Sequence, residues 1–195
     1  MFRKAFILTC DESSERAQFS KNVLEKVGFD VEFFKAISHI DKVYSNKISM
    51  MTIYETIYNR KYDWAYVFED DINVLVDIKL DEIIKYEEIS SPFFYLGICE
   101  IDNKTVIENE ATINGHVVKI VNGNIRGLHA IGISKEGAFE LYQHASKSKH
   151  SYMDMCLEEF SIKYPANVVR YDLQSYIHGH RGAFFQDRQR FPSTI

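Results

Sequence analysis

Eight consecutive residues, Trp64-Ala65-Tyr66-Val67-Phe68-Glu69-Asp70-Asp71, pass from apolar and aromatic side chains straight into three carboxylates. The apolar part has the β-branched and aromatic content of a buried strand, which sets the acids at its C-terminal end. Open α/β sheets take their ligands at that edge. Adjacent carboxylates repel one another, and a divalent cation with oxygen ligands is the usual compensation. In an extended chain Glu69 and Asp71 fall on one side and can offer oxygens to Mg²⁺ or Mn²⁺, while a bound diphosphate would supply others. This is the chemistry of an enzyme that handles phosphates. The competing reading is a solvated acidic turn.

The elements that must position these acids follow from periodicity and punctuation. Ala5–Thr9 reads as a buried strand. Asp11 and Ser13 then offer caps for a helix running to about Val27, closed by Gly28. Val31–Ala36 is a second strand, which completes a βαβ unit. A polar loop over His39–Lys47 leads to a helix from about Ile48 to Arg60, and the acid-tipped strand follows. Asp77–Glu88 reads as a helix and Phe93–Gly97 as a strand after Pro92. Alternating strands and helices predict an α/β fold, a mainly parallel sheet flanked by helices. Thr105–Glu108 and His116–Val121, with Asn114-Gly115 between them, add a small antiparallel hairpin. His129–Ile133 is a strand, Ser134 caps a helix to about Ser146, and a second helix covers roughly Met153–Tyr164. Val168–Tyr171 is a last strand. The tail from Ser175 to Ile195 is polar, aromatic and without regular periodicity.

The 195 residues fit one domain, 1–195, with no linker, repeat or low-complexity tract. Such a chain buries roughly 70% of its unfolded surface. A net charge of −5 argues against a nucleic-acid partner and leaves no polybasic membrane patch. Cys10, Cys99 and Cys156 are odd in number and widely spaced, as expected of reduced thiols in the cytoplasm. Arg3 and Lys4 precede a short apolar run, but Asp11-Glu12 follows at once, so the run reads as strand one and not as a signal peptide. No apolar stretch is long enough for a transmembrane segment.

Several pieces of the chain resemble glycosyltransferase family 25, the group of lipopolysaccharide and collagen galactosyltransferases. Ile7-Leu8-Thr9 followed by Ser13-Ser14-Glu15-Arg16 resembles the family's opening strand and its Asp-Arg segment. Phe34-Lys35-Ala36-Ile37 resembles the second strand, and Val67-Phe68-Glu69-Asp70-Asp71 the I-L-E-D-D motif. Tyr95-Leu96-Gly97 and the run Gly127-Leu128-His129-Ala130-Ile131-Gly132-Ile133-Ser134, with Gly137-Ala138 after it, resemble two later blocks. The chain departs from the family at Ser49–Tyr54, where a histidine and a tryptophan are usual. Its shortness and its ending, Gly179 to Arg188, resemble stand-alone forms from large DNA viruses.

The resemblance implies a GT-A-like fold and transfer of a sugar from a nucleotide-sugar donor, expected to be a UDP-sugar, to a hydroxyl of a saccharide or glycoconjugate acceptor, with inversion. It implies Mn²⁺ or Mg²⁺ as cofactor, with Asp71 as metal ligand and Glu69 nearer the ribose or a metal-bound water. Asp70, on the other side of the chain, is a structural or donor-binding residue. GT-A enzymes often return a C-terminal histidine to the metal, and His178 and His180 are the candidates; histidine favours Mn²⁺. They could equally be solvated or core-capping. His129 is either a packed histidine or a substrate contact, and His39, His144 and His150 read as surface residues. An inverting transfer needs a base. Asp154, where the family places a carboxylate, is that catalytic residue unless it only caps its helix, and Glu100 is the reserve. Thr9 and Arg16 are placed to meet the nucleotide, although Arg16 could be a surface charge. Arg181 and Arg188 could neutralise phosphate or form a solvated basic tail. Tyr176, Phe184 and Phe185 could form a lid or simply pack. Two rivals stand beside this: a catalytically inactive GT-A module that binds nucleotide or glycan, and a nucleotidyltransferase. The second normally carries a Gly-rich basic loop, and Cys10–Ser14 is acidic and has no glycine.

Overall fold

The computed structural model describes residues 3–100, 106–113, 116–122, 125–175 and 179–192. In chain order the first half contains β1 (Lys4–Thr9), α1 (Glu15–Val27), β2 (Asp30–Lys35), α2 (Lys42–Asn59), β3 (Trp64–Glu69) and β4 (Ile72–Val74). Next come α3 (Leu80–Ile83), α4 (Lys85–Ile89), β5 (Phe93–Glu100), β6 (Val106–Ile113), β7 (His116–Asn122) and β8 (Ile125–Ser134). The chain closes with α5 (Lys135–Lys147), α6 (Met153–Lys163), β9 (Ala166–Val168), β10 (His180–Gly182) and β11 (Phe184–Gln186).

The main sheet has the order β2-β1-β3-β8-β5-β9-β7-β6, with β10 added on β5. Strands β2, β1 and β3 are mutually parallel, and β5 and β9 are parallel to each other. β8 lies antiparallel to both β3 and β5, so those five strands share one direction with β8 inserted against them. β6 and β7 form the expected antiparallel hairpin, whose Asn114-Gly115 turn lies outside the described residues. The architecture is therefore α/β with a mainly parallel core.

Period-two alternation explains why helices cover both faces. Phe6, Leu8, Ala65, Val67, Phe93 and Tyr95 face a core closed by α2, α5 and α6. Their neighbours Ala5, Ile7, Tyr66, Phe68, Phe94 and Leu96 face the opposite core, closed by α1, α3, α4 and Phe184. Strands buried on both faces read as continuous apolar runs, and this is why β1, β3 and β5 stand out in the sequence.

Local chemistry moved several boundaries. Ser14, not Asp11 or Ser13, caps α1, accepting from the Ala17 amide at 3.3 Å. Asp11 instead folds the preceding turn, its Oδ1 accepting from the Ser13 amide and hydroxyl at 2.9 and 2.7 Å, since a short side chain can bond its own backbone two residues on. The supposed loop His39–Lys47 contains the start of α2, because Asp41 caps it through the Val43 and Tyr44 amides. Polar residues on the exposed first turns hid that start. The helix expected over Asp77–Glu88 is divided at Ile84 into α3 and α4. The strand expected over Val168–Tyr171 is β9, and the chain turns at Arg170, whose φ is 53°. The tail is not irregular: it supplies β10 and β11, and β11 pairs with β4.

One polar network fastens α4 to the sheet. Arg3 Nε and Nη2 donate to both carboxylate oxygens of Glu87 at 2.8 and 2.6 Å, and the Tyr66 hydroxyl donates to Oε1 at 2.6 Å. Removing the shared acceptor strands a mostly buried guanidinium and a buried phenol. Glu87→Ala should therefore cost about 3 kcal/mol in chemical denaturation, whereas Tyr66→Phe should cost about 1 kcal/mol. Equal losses would mean the network is not what holds α4.

Candidate active site at the carboxyl edge of the sheet

Parallel pairing of β1 with β3 sets Leu8 opposite Glu69, so Thr9 and the acidic turn arrive side by side at the carboxyl edge. The Thr9 hydroxyl donates to Asp70 Oδ2 at 2.6 Å. From α1, Arg16 Nη2 lies 2.7 Å from Asp70 Oδ1 and 3.3 Å from Asp71 Oδ2. Thr9 and Arg16, expected to face the nucleotide, thus spend polar atoms on the acids themselves, and Asp70 is the residue they share. Ser20, fully buried on α1, donates to the Asp70 carbonyl at 2.8 Å and accepts from the Ile72 amide at 2.9 Å. It pins the turn, and no motif announced it.

Asp71 is 3% exposed, and its Oδ1 has no hydrogen-bond partner among the described residues. Burial raises its pKa, with the charge of Asp70 adding to that, while Arg16 and Arg188 oppose it. Glu69 is affected more. Burial is the main cause that pushes it up to about 8, and the negative charges of Asp71, Asp154 and Asp70 contribute in that order. Asp154 stands in the first turn of α6, whose cap residue Tyr152 makes no side-chain cap bond. Its charge also contributes to raising the phenol pKa of Tyr54 and the thiol pKa of Cys99, as it does for Glu69. The described residues thus gather Glu69, Asp70 and Asp71 in one acidic turn supported by Thr9 and Arg16, and the charge of Asp154 is felt there through Glu69.

The tail folds back onto this centre. β11 sends Gln186 Nε2 to Glu69 Oε2 at 2.5 Å, and Arg188 Nη2 donates to Gln186 Oε1 at 3.0 Å. The Asp187 amide donates to the Asp71 carbonyl at 2.8 Å. Phe184 is fully buried with its ring 5.4 Å from that of Phe68, so it packs and does not form a lid. Arg181 lies over the Tyr171 ring at 5.1 Å. Tyr176 and His178 lie outside the described residues, as does the side chain of Glu100. His180 is 1% exposed and sits beside Cys99 and His129, their ligand atoms all within 4.8 Å of one another. Sequence reading weighed His129 but had no signal for Cys99 or Gln186, whose roles depend on strand pairing across long separations.

No family model matches the chain, and no curated protein matches it. Solved structures do. A glycosyltransferase involved in the glycosylation of the major capsid of PBCV-1 superposes with a TM-score of 0.53 at 10% identity, covering 82% of this chain and 75% of that one. A UDP-glucose pyrophosphorylase complexed with UDP-glucose superposes with a TM-score of 0.52 at 9% identity, covering 86% of this chain and 89% of the other. The likeness is one of fold, and the fold is GT-A-like. Among the described residues no helix is long and apolar enough to cross a membrane.

The raised pKa of Glu69 has a thermodynamic consequence. Its carboxyl keeps a proton in the folded state over a pH range where the unfolded chain has lost it, so the folded state binds more protons and stability falls as pH rises. The window runs from the ordinary value of 4.5 to about 8. The melting temperature of chelator-treated protein should decline across that window, and Glu69→Gln should flatten the decline. An unchanged slope in the variant would refute the shift.

Proposed function

We propose that this chain is a glycosyltransferase of the family 25 kind, moving a sugar from a UDP-sugar to a hydroxyl of a glycan or glycoconjugate with inversion. The observation that carries the reading is the partnerless buried oxygen of Asp71 beside Glu69, at the carboxyl edge of a GT-A-like sheet. The crowding of acids against Arg16 and Arg188, which holds Glu69 toward its protonated form, is what a hard divalent cation would relieve. Asp71, with Glu69, would hold Mn²⁺ or Mg²⁺. Bound there, the cation would act as a Lewis acid toward the departing nucleoside diphosphate. Of the two histidines expected to join it, His178 is not described and His180 stands with Cys99 and His129.

The chain's own residues supply the remaining work. Asp70, held by Thr9 and Arg16, fixes the turn so that Asp71 does not have to reorganise when donor binds. Gln186 orients Glu69 by donating to one of its oxygens, and Arg188, exposed at the rim, is placed to meet phosphate. Asp154 takes the acceptor hydroxyl's proton on a carboxylate oxygen as that hydroxyl attacks the sugar.

Calorimetric titration with UDP tests the donor site. Binding should require Mn²⁺ and weaken at least about tenfold in Asp71→Asn. Asp154→Asn should keep UDP affinity and lower turnover by about 10²–10⁴-fold. A protein that binds no nucleotide with or without Mn²⁺ overturns the reading, and one that binds UDP without hydrolysis or transfer is a binding module. The likeness to a pyrophosphorylase favours a second reading, nucleotidyl transfer, in which a sugar-phosphate oxygen would attack the α-phosphorus of UTP, forming a UDP-sugar and releasing pyrophosphate. Against it, the segment after β1 is acidic, and Asp11 occupies the place where that class needs a basic phosphate loop.

A further inference from the structure

Beside the acidic centre lies a second cluster of entirely different donors. Cys99 on β5, His129 on β8 and His180 on β10 come from three neighbouring strands. His180 and Cys99 are paired residues of the antiparallel β10–β5 ladder. His129 comes from the other side of β5, where the β5–β8 register shifts between Gly97 and Cys99. Such an irregularity re-aims side chains relative to regular pairing. One thiol sulfur and two imidazole nitrogens consequently lie within 4.8 Å of one another. The two imidazole rings meet edge to face, with centroids 5.3 Å apart.

The backbone leaves space for this arrangement. A Cβ on Gly97 would stand 2.7 Å from His129 Nε2, and one on Gly127 would stand 2.9 Å from His129 Nδ1. Gly127 also has a φ of 133°, a region that L side chains rarely adopt. His129 is completely buried; the Phe184 backbone carbonyl approaches its ring without a well-formed hydrogen bond, and the other ring nitrogen has no partner among the described residues. A buried imidazole left in that condition is costly unless something else takes its lone pair.

We propose that Cys99, His129 and His180 form a binding site for zinc, or another borderline transition metal, that fastens the C-terminal strands to the sheet. The donor set decides the metal: a thiolate with two imidazoles selects zinc over the hard Mg²⁺ and Mn²⁺, which prefer oxygen. A tetrahedral zinc ion, with Zn–S about 2.3 Å and Zn–N about 2.0 Å, holds its ligands roughly 3.5 Å apart, so donors already within 4.8 Å of one another need only side-chain adjustment to reach it. The fourth position would be filled by water. Binding displaces the Cys99 thiol proton to solvent, because the ligand is the thiolate. The mechanical effect is clear from connectivity. β10 carries His180 and leads directly into β11, which brings Gln186 onto Glu69, so a metal tying β10 to β5 and β8 also fixes the strand that orients the acidic centre. The site shares no residue with Glu69, Asp71 or Asp154, and it stands or falls apart from the transferase reading.

Cobalt substitution tests it. Adding Co²⁺ to metal-free protein should give intense tetrahedral d–d bands and a thiolate-to-cobalt charge-transfer band at one equivalent. Cys99→Ser should remove the charge-transfer band, His129→Gln should weaken binding at least about tenfold, and Cys10→Ser should change neither. In case the variants fold poorly, the wild-type protein gives a second measurement. Zn²⁺, but not Mg²⁺, should protect Cys99 from alkylation, read by peptide mass spectrometry. Absence of the charge-transfer band, its survival in Cys99→Ser, or equal alkylation of Cys99 with and without Zn²⁺ would overturn the proposal.

Discussion

The concentration of carboxylates at the end of β3 is the constraint around which the rest is arranged. Glu69 and Asp71 stand where burial already disfavours charge, Asp70 lies between them, and Asp154 adds the charge of a fourth acid from α6. Such a group persists only if the surrounding structure compensates it. Arg16 does so by charge and Thr9 by hydrogen bonding; Ser20 pins the backbone; Gln186 and Arg188 come from the far end of the chain. The compensation is unequal. Asp70 is fully engaged, while one oxygen of Asp71 is left over and Glu69 is held toward its protonated form. Saturating every acid would have given a more stable turn and a chemically inert one.

This arrangement sets the work of each helix facing the second core. α1 does more than cover β1 and β3, because its inward face carries Ser20 and its first turns carry Arg16. A shift of α1 by one turn would preserve much of its apolar packing and lose both contacts with the acidic turn. On the opposite side α6 delivers Asp154 to the same centre through the packing of Met153, Leu157 and Phe160. Hydrophobic burial thus fixes position, and the polar contacts at the sheet edge use that position without having to stabilise it.

Donor chemistry is divided between two adjoining groups at this edge. The oxygens gather at the end of β3, and the sulfur and imidazole nitrogens gather where β8, β5 and β10 meet. Hard and soft donors that mixed freely would compete for whatever metal the surroundings supply, because affinity alone ranks metals in the same order at most sites. The parallel strand β3 ends in the first group, and the antiparallel insertion of β8 against β5 builds the second.

The sequence by itself determined the frame. Strands buried on both faces must be apolar at every position, so β1, β3 and β5 were legible, as were the βαβ opening, the acids at the end of β3 and the Ser134 cap of α5. What it did not determine was anything that depends on long-range pairing. The tail contains strands of three residues each, too short for a periodic signal, and they exist because β5 and β4 offer them edges. Cys99, His129 and His180 are separated by dozens of residues and meet through an irregular register, which no local pattern encodes. The same holds for Gln186 on Glu69 and Ser20 on the acidic turn. Local propensity and burial periodicity write the elements into the chain; which side chains share a site was decided by the order and register in which those elements pack.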